Sequence, residues 1–127
     1  MTFSSTCPIC SKGAQVLHEL WIPKSAVMEA LPEKRSAINA VENMALICNQ
    51  CNMEMTHAMQ VKIRRVKLIQ MGQQLILDRG GLPGHASDEC LIEHGIERVQ
   101  AWLDSMQMKT RYDARRMAGL AVFPTSK

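Results

Sequence analysis

Residues 42–52, ENMALICNQCN, join a turn-forming Asn to a short apolar run, and the run leads into two cysteines separated by two residues. A second such pair lies upstream in residues 7–20, CPICSKGAQVLHEL. One Cys-x-x-Cys pair can supply two ligands of a tetrahedral zinc ion, and a second pair completes the site. Chance must supply the same spacing twice if these are only buried thiols. The sequence therefore predicts a structural Zn²⁺ site formed by Cys7, Cys10, Cys48 and Cys51.

The composition is that of a globular protein. The chain has 127 residues, of which 46% are hydrophobic and 21% charged, so we expect a folded core and not disorder. We predict a first domain over residues 1–60, which contains the chemistry, and a helical extension over residues 61–127.

The formal net charge of +3 permits a nucleic-acid partner without requiring one. The sequence has no run of 18 apolar residues and no secretory signal pattern, so we expect a cytoplasmic protein with no membrane partner. Paired thiols in that compartment bind metal more often than they form disulfides. The fifth cysteine, Cys90, is expected to be a small buried helix residue.

Two strands are predicted around the cysteine pairs. An apolar segment over residues 15–22 ends at Pro23, which lacks the backbone donor that a sheet requires. Met44–Ile47 is the second short strand, and the two strands form a hairpin-like pair. Between them, residues 24–31 predict a short helix, and residues 36–41 predict a weak helix or an extended connector.

After Cys48 the hydrophobic pattern becomes helical. Met55, Met59, Ile63, Val66 and Ile69 recur every three or four residues, and Arg79-Gly80-Gly81 predicts the helix end. Ser87 predicts the start of a second helix that breaks at His94-Gly95 and then resumes. A capping box at Thr110 predicts a last helix to about Ala121.

Three motif positions, occupied by His18, Asn43 and Asn52, resemble those of the HNH endonuclease family, also called ββα-metal or His-Me finger nucleases. His18 and Glu19, followed by Ile22-Pro23-Lys24-Ser25, match its first motif; Asn43 matches the central Asn, and Asn52 matches the last position. The "CNxCN" element is similar to phage Holliday-junction-resolving endonucleases. The resemblance covers residues 7–57. It implies an α+β fold, with a zinc-stabilised ββα-metal core and a helical C-terminal extension, and a phage-type DNA endonuclease or nickase.

The resemblance also implies a mechanism. A neutral His can take a proton from water near pH 7, and a divalent ion such as Mg²⁺ or Mn²⁺ can hold the scissile phosphate. Asn43 is expected to hold the hairpin through backbone hydrogen bonds. The family places a metal ligand before its basic His, but here that residue is Leu17. Two assignments follow: His18 is the base and Glu19 helps to bind the metal, or the roles are reversed.

The remaining ligands of the catalytic metal are expected on the following helix. Asn52 is the first candidate, and His57 is either a second ligand or an exposed polar residue. Without the cysteines and the two Asn residues, His18 would be read as a half-buried strand residue bonded to a backbone carbonyl.

Basic residues on the predicted long helix are candidates for DNA phosphate contacts or for a solvated face: Lys62, Arg64, Arg65 and Lys67. Lys109, Arg111, Arg115 and Arg116 form a second basic cluster that is open to the same two interpretations.

Two alternatives to a nuclease stay open. One is a non-catalytic zinc-finger module that binds nucleic acid or protein, and the other is a subunit whose Met-rich helices pack on a partner. The oligomeric state is not predicted, and a dimer is one option.

Overall fold

The computed structural model describes residues 5–23, 40–106 and 113–120. Within these ranges the chain forms one two-stranded antiparallel sheet and four α-helices, which makes the fold a mixed α+β arrangement. The helix predicted over residues 24–31 lies outside the described residues, and so does nearly all of the segment 36–41.

The sheet joins β1 (Val16–Glu19) to β2 (Met44–Ile47), with His18 opposite Ala45. β1 is shorter than the predicted strand because residues 20–22 are held by a side chain. Asn43 is fully buried, and its Oδ1 accepts the N–H groups of Trp21 and Ile22 at 2.9 and 3.0 Å. Its Nδ2 donates to the Ile22 carbonyl at 3.0 Å. Asn43 thus fixes the chain that leaves β1.

Two helices follow β2 where the sequence predicted one. Helix α1 (Asn49–Met53) ends before Glu54, and α2 (His57–Asp78) begins after Thr56. The Thr56 hydroxyl accepts the Met59 N–H at 3.1 Å and so caps the new helix. The prediction of one continuous helix was wrong because a Thr in this position can replace a helix hydrogen bond with its own side chain.

The long helix α2 packs against α3 (Asp88–Ser105), and two glycines lie at their crossing. A Cβ atom on Gly72 would lie 1.9 Å from the Leu91 carbonyl oxygen, and one on Gly95 would lie 1.9 Å from that of Leu68. The predicted break at His94-Gly95 is therefore wrong: α3 is continuous, and Gly95 allows the two backbones to approach closely.

Two predicted helix boundaries, the end of α2 and the start of α3, are found in the structure. Gly80 follows the end of α2 with a left-handed φ of 83°, and Ser87 caps α3 by accepting the Cys90 N–H. The last helix, α4 (Ala114–Met117), is shorter than predicted and is capped by Asp113. Thr110, its predicted start, lies outside the described residues.

One hydrophobic core includes residues from both predicted domains. The boundary at residues 60 and 61 falls inside α2, and buried side chains on either side pack into one cluster, among them Trp21, Ile47, Ile63, Leu68, Val99 and Leu103. The N-terminal segment that contains the cysteine pairs and the helices that follow it therefore share one core. Among the helices that the structure describes, none has an apolar stretch long enough to cross a membrane.

Candidate functional site

The first cysteine pair lies in a tight turn before β1. The Cys7 N–H donates to the Lys12 carbonyl at 2.7 Å, and the Ser11 N–H donates to the Cys7 carbonyl at 2.9 Å. Ser11 adopts a left-handed φ of 66°, which a non-glycine residue rarely does. This turn folds the chain back so that both thiols face the second pair.

The second cysteine pair marks the junction of β2 and α1. Cys48 precedes the helix, and its sulfur accepts the Cys51 N–H at 3.3 Å in the manner of an N-cap. The short helix therefore places Cys51 one turn after Cys48. Both thiols are buried on the side of the first pair.

The four sulfur atoms form one cluster. All lie within 4.8 Å of one another, and the Cys10 and Cys48 sulfurs are 3.4 Å apart. Tetrahedral zinc with Zn–S bonds of about 2.3 Å separates its sulfurs by about 3.8 Å, so these spacings fit the ion. Cys10 is the most exposed of the four thiols. The four cysteines could therefore hold one tetrahedral metal ion such as zinc.

Hydrogen bonds prepare two of the thiols to act as thiolates. Burial acts to raise the pKa of Cys7, but the backbone N–H groups of Cys10, Cys48 and Ile9 outweigh it and bring the pKa down to about 6. The Cys51 N–H likewise lowers the pKa of Cys48. The pKa of Cys51 is raised, first by its hydrogen bond to the Cys48 sulfur and then by burial. Thiolates are the form that binds metal, so each pair supplies one ready ligand.

A second group of polar side chains surrounds His18. Its Nδ1 lies 3.1 Å from Asn52 Oδ1, and its Nε2 lies 2.7 Å from Gln60 Oε1. His18 comes from β1, Asn52 from α1 and Gln60 from the first turn of α2. The structure therefore brings together two of the predicted site residues, His18 and Asn52.

The neighbours of His18 along β1 do not share its side of the sheet. Successive residues of a strand point to opposite faces, so Leu17 and Glu19 lie opposite to His18. Leu17 is 51% exposed, at the position where the resembling family has a metal ligand. Strand geometry therefore separates His18 from Glu19, the two residues predicted to act as base and metal ligand.

His57 does not join this group, because it is exposed at the start of α2 and not on the same helix as Asn52. In residues 5–23, 40–106 and 113–120, only the four cysteines form a set of three or more His, Cys, Asp or Glu side chains close enough to share an ion. His18 and Asn52 therefore lie outside the one cluster of this kind that could hold a metal ion.

Arg64 and Arg65, the two arginines predicted on the basic helix face, form hydrogen bonds within the protein. Arg64 donates to the carbonyls of Leu20 and Met117 at 2.8 and 2.9 Å, and its guanidinium stacks 5.7 Å from the centre of the Trp21 ring. Burial lowers its pKa. Arg65 donates to the carbonyls of Ala118 and Gly119, both at 2.9 Å. These residues tie the segment after α4 to α2.

The two predicted DNA-binding lysines have opposite environments. Lys67 is only 1% exposed, and burial lowers its pKa to about 8, partly opposed by the charge of Glu42. Lys62 is exposed. The prediction of one basic helix face was wrong because α2 turns Lys67 into the core.

Other predicted surface residues also have defined positions. Arg115 forms a two-point ion pair with Glu93, and Arg116 is exposed, whereas Lys109 and Arg111 lie outside the described residues. Cys90, expected to be buried, is exposed in the first turn of α3.

Gln60 was not among the predicted site residues. The available signal was helical spacing: Gln60 lies three residues after His57 and four before Arg64, so it shares a helix face with both. That spacing does not reveal that the face lies against β1.

Comparison of the chain with protein-family models, with curated proteins and with solved structures gives no match.

Proposed function

We propose that this protein is a metal-dependent endonuclease or nickase that hydrolyses DNA phosphodiester bonds, as the resemblance to HNH nucleases implies. The observation that supports it most is the contact between His18 and Asn52, which lie 34 residues apart in sequence and 3.1 Å apart in the structure. Neither residue is needed to hold the cysteine cluster. A His and an amide side chain this close together could serve as a base and a ligand beside a divalent cation.

The proposal gives separate roles to His18, Asn52 and Asn43. A neutral His18 imidazole nitrogen would accept the proton of the attacking water, and Asn52 would hold a cation such as Mg²⁺ or Mn²⁺, which would supply charge neutralisation at the leaving oxygen. Asn43 stays remote from the substrate and fixes the chain after β1 through its three backbone hydrogen bonds. Structural Zn²⁺ at the four cysteines holds β1 and α1 together, so that His18 and Asn52 keep their distance.

A non-catalytic zinc module that binds nucleic acid is the second candidate, and a specific observation favours it. Within the described residues, His18 belongs to no cluster of three or more His, Cys, Asp or Glu side chains that could hold a metal ion. A binding module would need no such group. In such a binding module, exposed basic residues such as Lys62 and Arg116 would supply the contacts to phosphate groups.

Plasmid nicking by the zinc-loaded protein separates the two candidates. Supercoiled DNA is incubated with the protein alone and with increasing Mg²⁺ or Mn²⁺, without a chelator, so that the structural zinc stays bound. The nuclease proposal expects open-circular product only when the cation is added. In Asn52→Ala the cation concentration for half-maximal rate should rise, because a ligand is lost.

The zinc-module candidate predicts binding without cleavage. Retention of labelled DNA that weakens with salt, with no product from duplex, single-stranded or branched DNA at any cation concentration, would contradict the nuclease proposal. Glu19→Gln tests the remaining assignment: a base at Glu19 makes this variant inactive at every cation level, whereas the placement of Glu19 opposite to His18 predicts nearly full activity.

A further inference from the structure

Gln60 has two hydrogen bonds that fix the orientation of its amide. Its Oε1 lies 2.7 Å from His18 Nε2, and its Nε2 donates to the Leu20 carbonyl at 3.3 Å. The Leu20 carbonyl can only accept, so the amide nitrogen must face it and the amide oxygen must face His18. Arg64 Nε donates to the same carbonyl at 2.8 Å and holds it in place.

This orientation determines which nitrogen of the neutral His18 ring carries the proton. An amide oxygen has no proton to give, so the ring must donate from Nε2. A neutral imidazole has one donor and one acceptor, which leaves the lone pair on Nδ1. Nδ1 is the nitrogen that faces Asn52. With the lone pair on Nδ1, the Asn52 amide must turn half-way about its last side-chain bond so that its Nδ2, in place of Oδ1, faces the ring; an amide group fits either way round.

We propose that Gln60 is a positioning residue, which holds His18 in the Nε2–H tautomer and directs the basic Nδ1 lone pair to the site beside Asn52. Its importance for cleavage rests on the proposed function, but the tautomer itself does not. The same principle operates in metal sites, where the second ring N–H of a His is bonded to an acceptor that fixes the ring. The break between α1 and α2 makes this possible, because Asn52 and Gln60 come from separate helices on either side of the ring.

The test is the ¹⁵N spectrum of the His18 imidazole in the zinc-loaded, full-length protein at about pH 9, well above the pKa of free imidazole. We expect the wild-type ring to be almost entirely Nε2–H. Gln60→Ala should lose this preference and give a mixture, while Gln60→Glu should keep it, because a carboxylate also accepts from Nε2–H. Gln73→Ala, at an exposed position on the same helix, is the control and should leave the spectrum unchanged.

Cleavage rates form the second part of the test. The Gln60→Ala rate should fall by about 10- to 100-fold with normal zinc content, and Gln60→Glu should recover most of it. A wild-type Nδ1–H ring, an unchanged tautomer in Gln60→Ala, or an altered tautomer with a normal rate would each overturn the inference. An Nε2–H ring that depends on Gln60, in a protein that cleaves no DNA, would uphold the tautomer assignment and contradict only the proposed nuclease.

Discussion

The cysteine cluster and the His18 group join the same parts of the chain in different ways. Both connect the N-terminal segment to residues after β2, but the cluster unites four ionisable ligands within 4.8 Å. The His18 group has one ionisable side chain between two amides. The first set could hold a zinc ion, whereas in the second set both ring nitrogens of His18 already have an amide partner. The cluster is therefore suited to stabilise the fold, and the His18 group is the part of the molecule on which the proposed activity depends.

The largest effect should come from the cluster. Cys48→Ser removes a ligand and the sulfur that caps α1, so zinc should be lost and the N-terminal half should unfold. A structural zinc site contributes on the order of 10 kcal/mol, which is comparable to the whole stability of a domain. Metal analysis and thermal melting measure both effects. Cys90→Ser, at an exposed thiol outside the cluster, is the matched control and should keep one zinc and the native melting temperature. Native melting of Cys48→Ser would contradict the structural role of the metal.

Lys67, in the helical part of the core, should make stability depend on pH separately from the cysteine cluster. Burial lowers the pKa of Lys67 from 10.5 to about 8, so between these values the unfolded chain binds more protons than the folded one. Stability contributed at this residue should therefore rise as the pH increases from about 8 to about 10.5. Lys67→Met should remove that rise and increase the free energy of unfolding at pH 7 by about 1–3 kcal/mol.

Denaturant unfolding across this pH range gives the measurement, and the difference between wild type and variant isolates Lys67 from the thiols. Lys62→Met changes an exposed lysine on the same helix and should leave the pH dependence unchanged. Equal pH dependence in wild type and Lys67→Met would show that the buried ammonium is not a cost to the fold.

A substitution at the crossing of α2 and α3 should have a smaller effect on stability and should leave the metal cluster intact. Gly72→Ala places a methyl group where the Leu91 carbonyl lies, so α2 and α3 must move apart, at a cost of about 1–3 kcal/mol. Zinc content should stay at one per chain, because neither Gly72 nor Leu91 belongs to the cysteine cluster. Gly84→Ala meets no atom within 4 Å and should be neutral. Loss of zinc in Gly72→Ala would mean that the two regions fold as one unit.

The sequence could predict features that depend on residues close together in the chain, but not those that depend on distant residues. Cys spacing, strand β2 and the Ser87 cap depend on residues close together in the chain, and the structure has them where they were expected. Arg64 and Lys67 were misjudged because their environments come from Leu20, Met117 and the core, far away in sequence. Gly95 was read as a helix break because sequence alone does not show a neighbouring backbone.

Cleavage by His18→Ala tests the central claim most directly. The variant keeps all four cysteines and Asn43, so zinc content and circular dichroism should match the wild type. The rate of plasmid nicking at saturating Mg²⁺ or Mn²⁺ should fall by about 10²- to 10⁴-fold, as expected for a lost general base. His85→Ala, at an exposed position outside the site, should cleave like the wild type. A folded, zinc-loaded His18→Ala protein that nicks DNA at the wild-type rate would contradict the account.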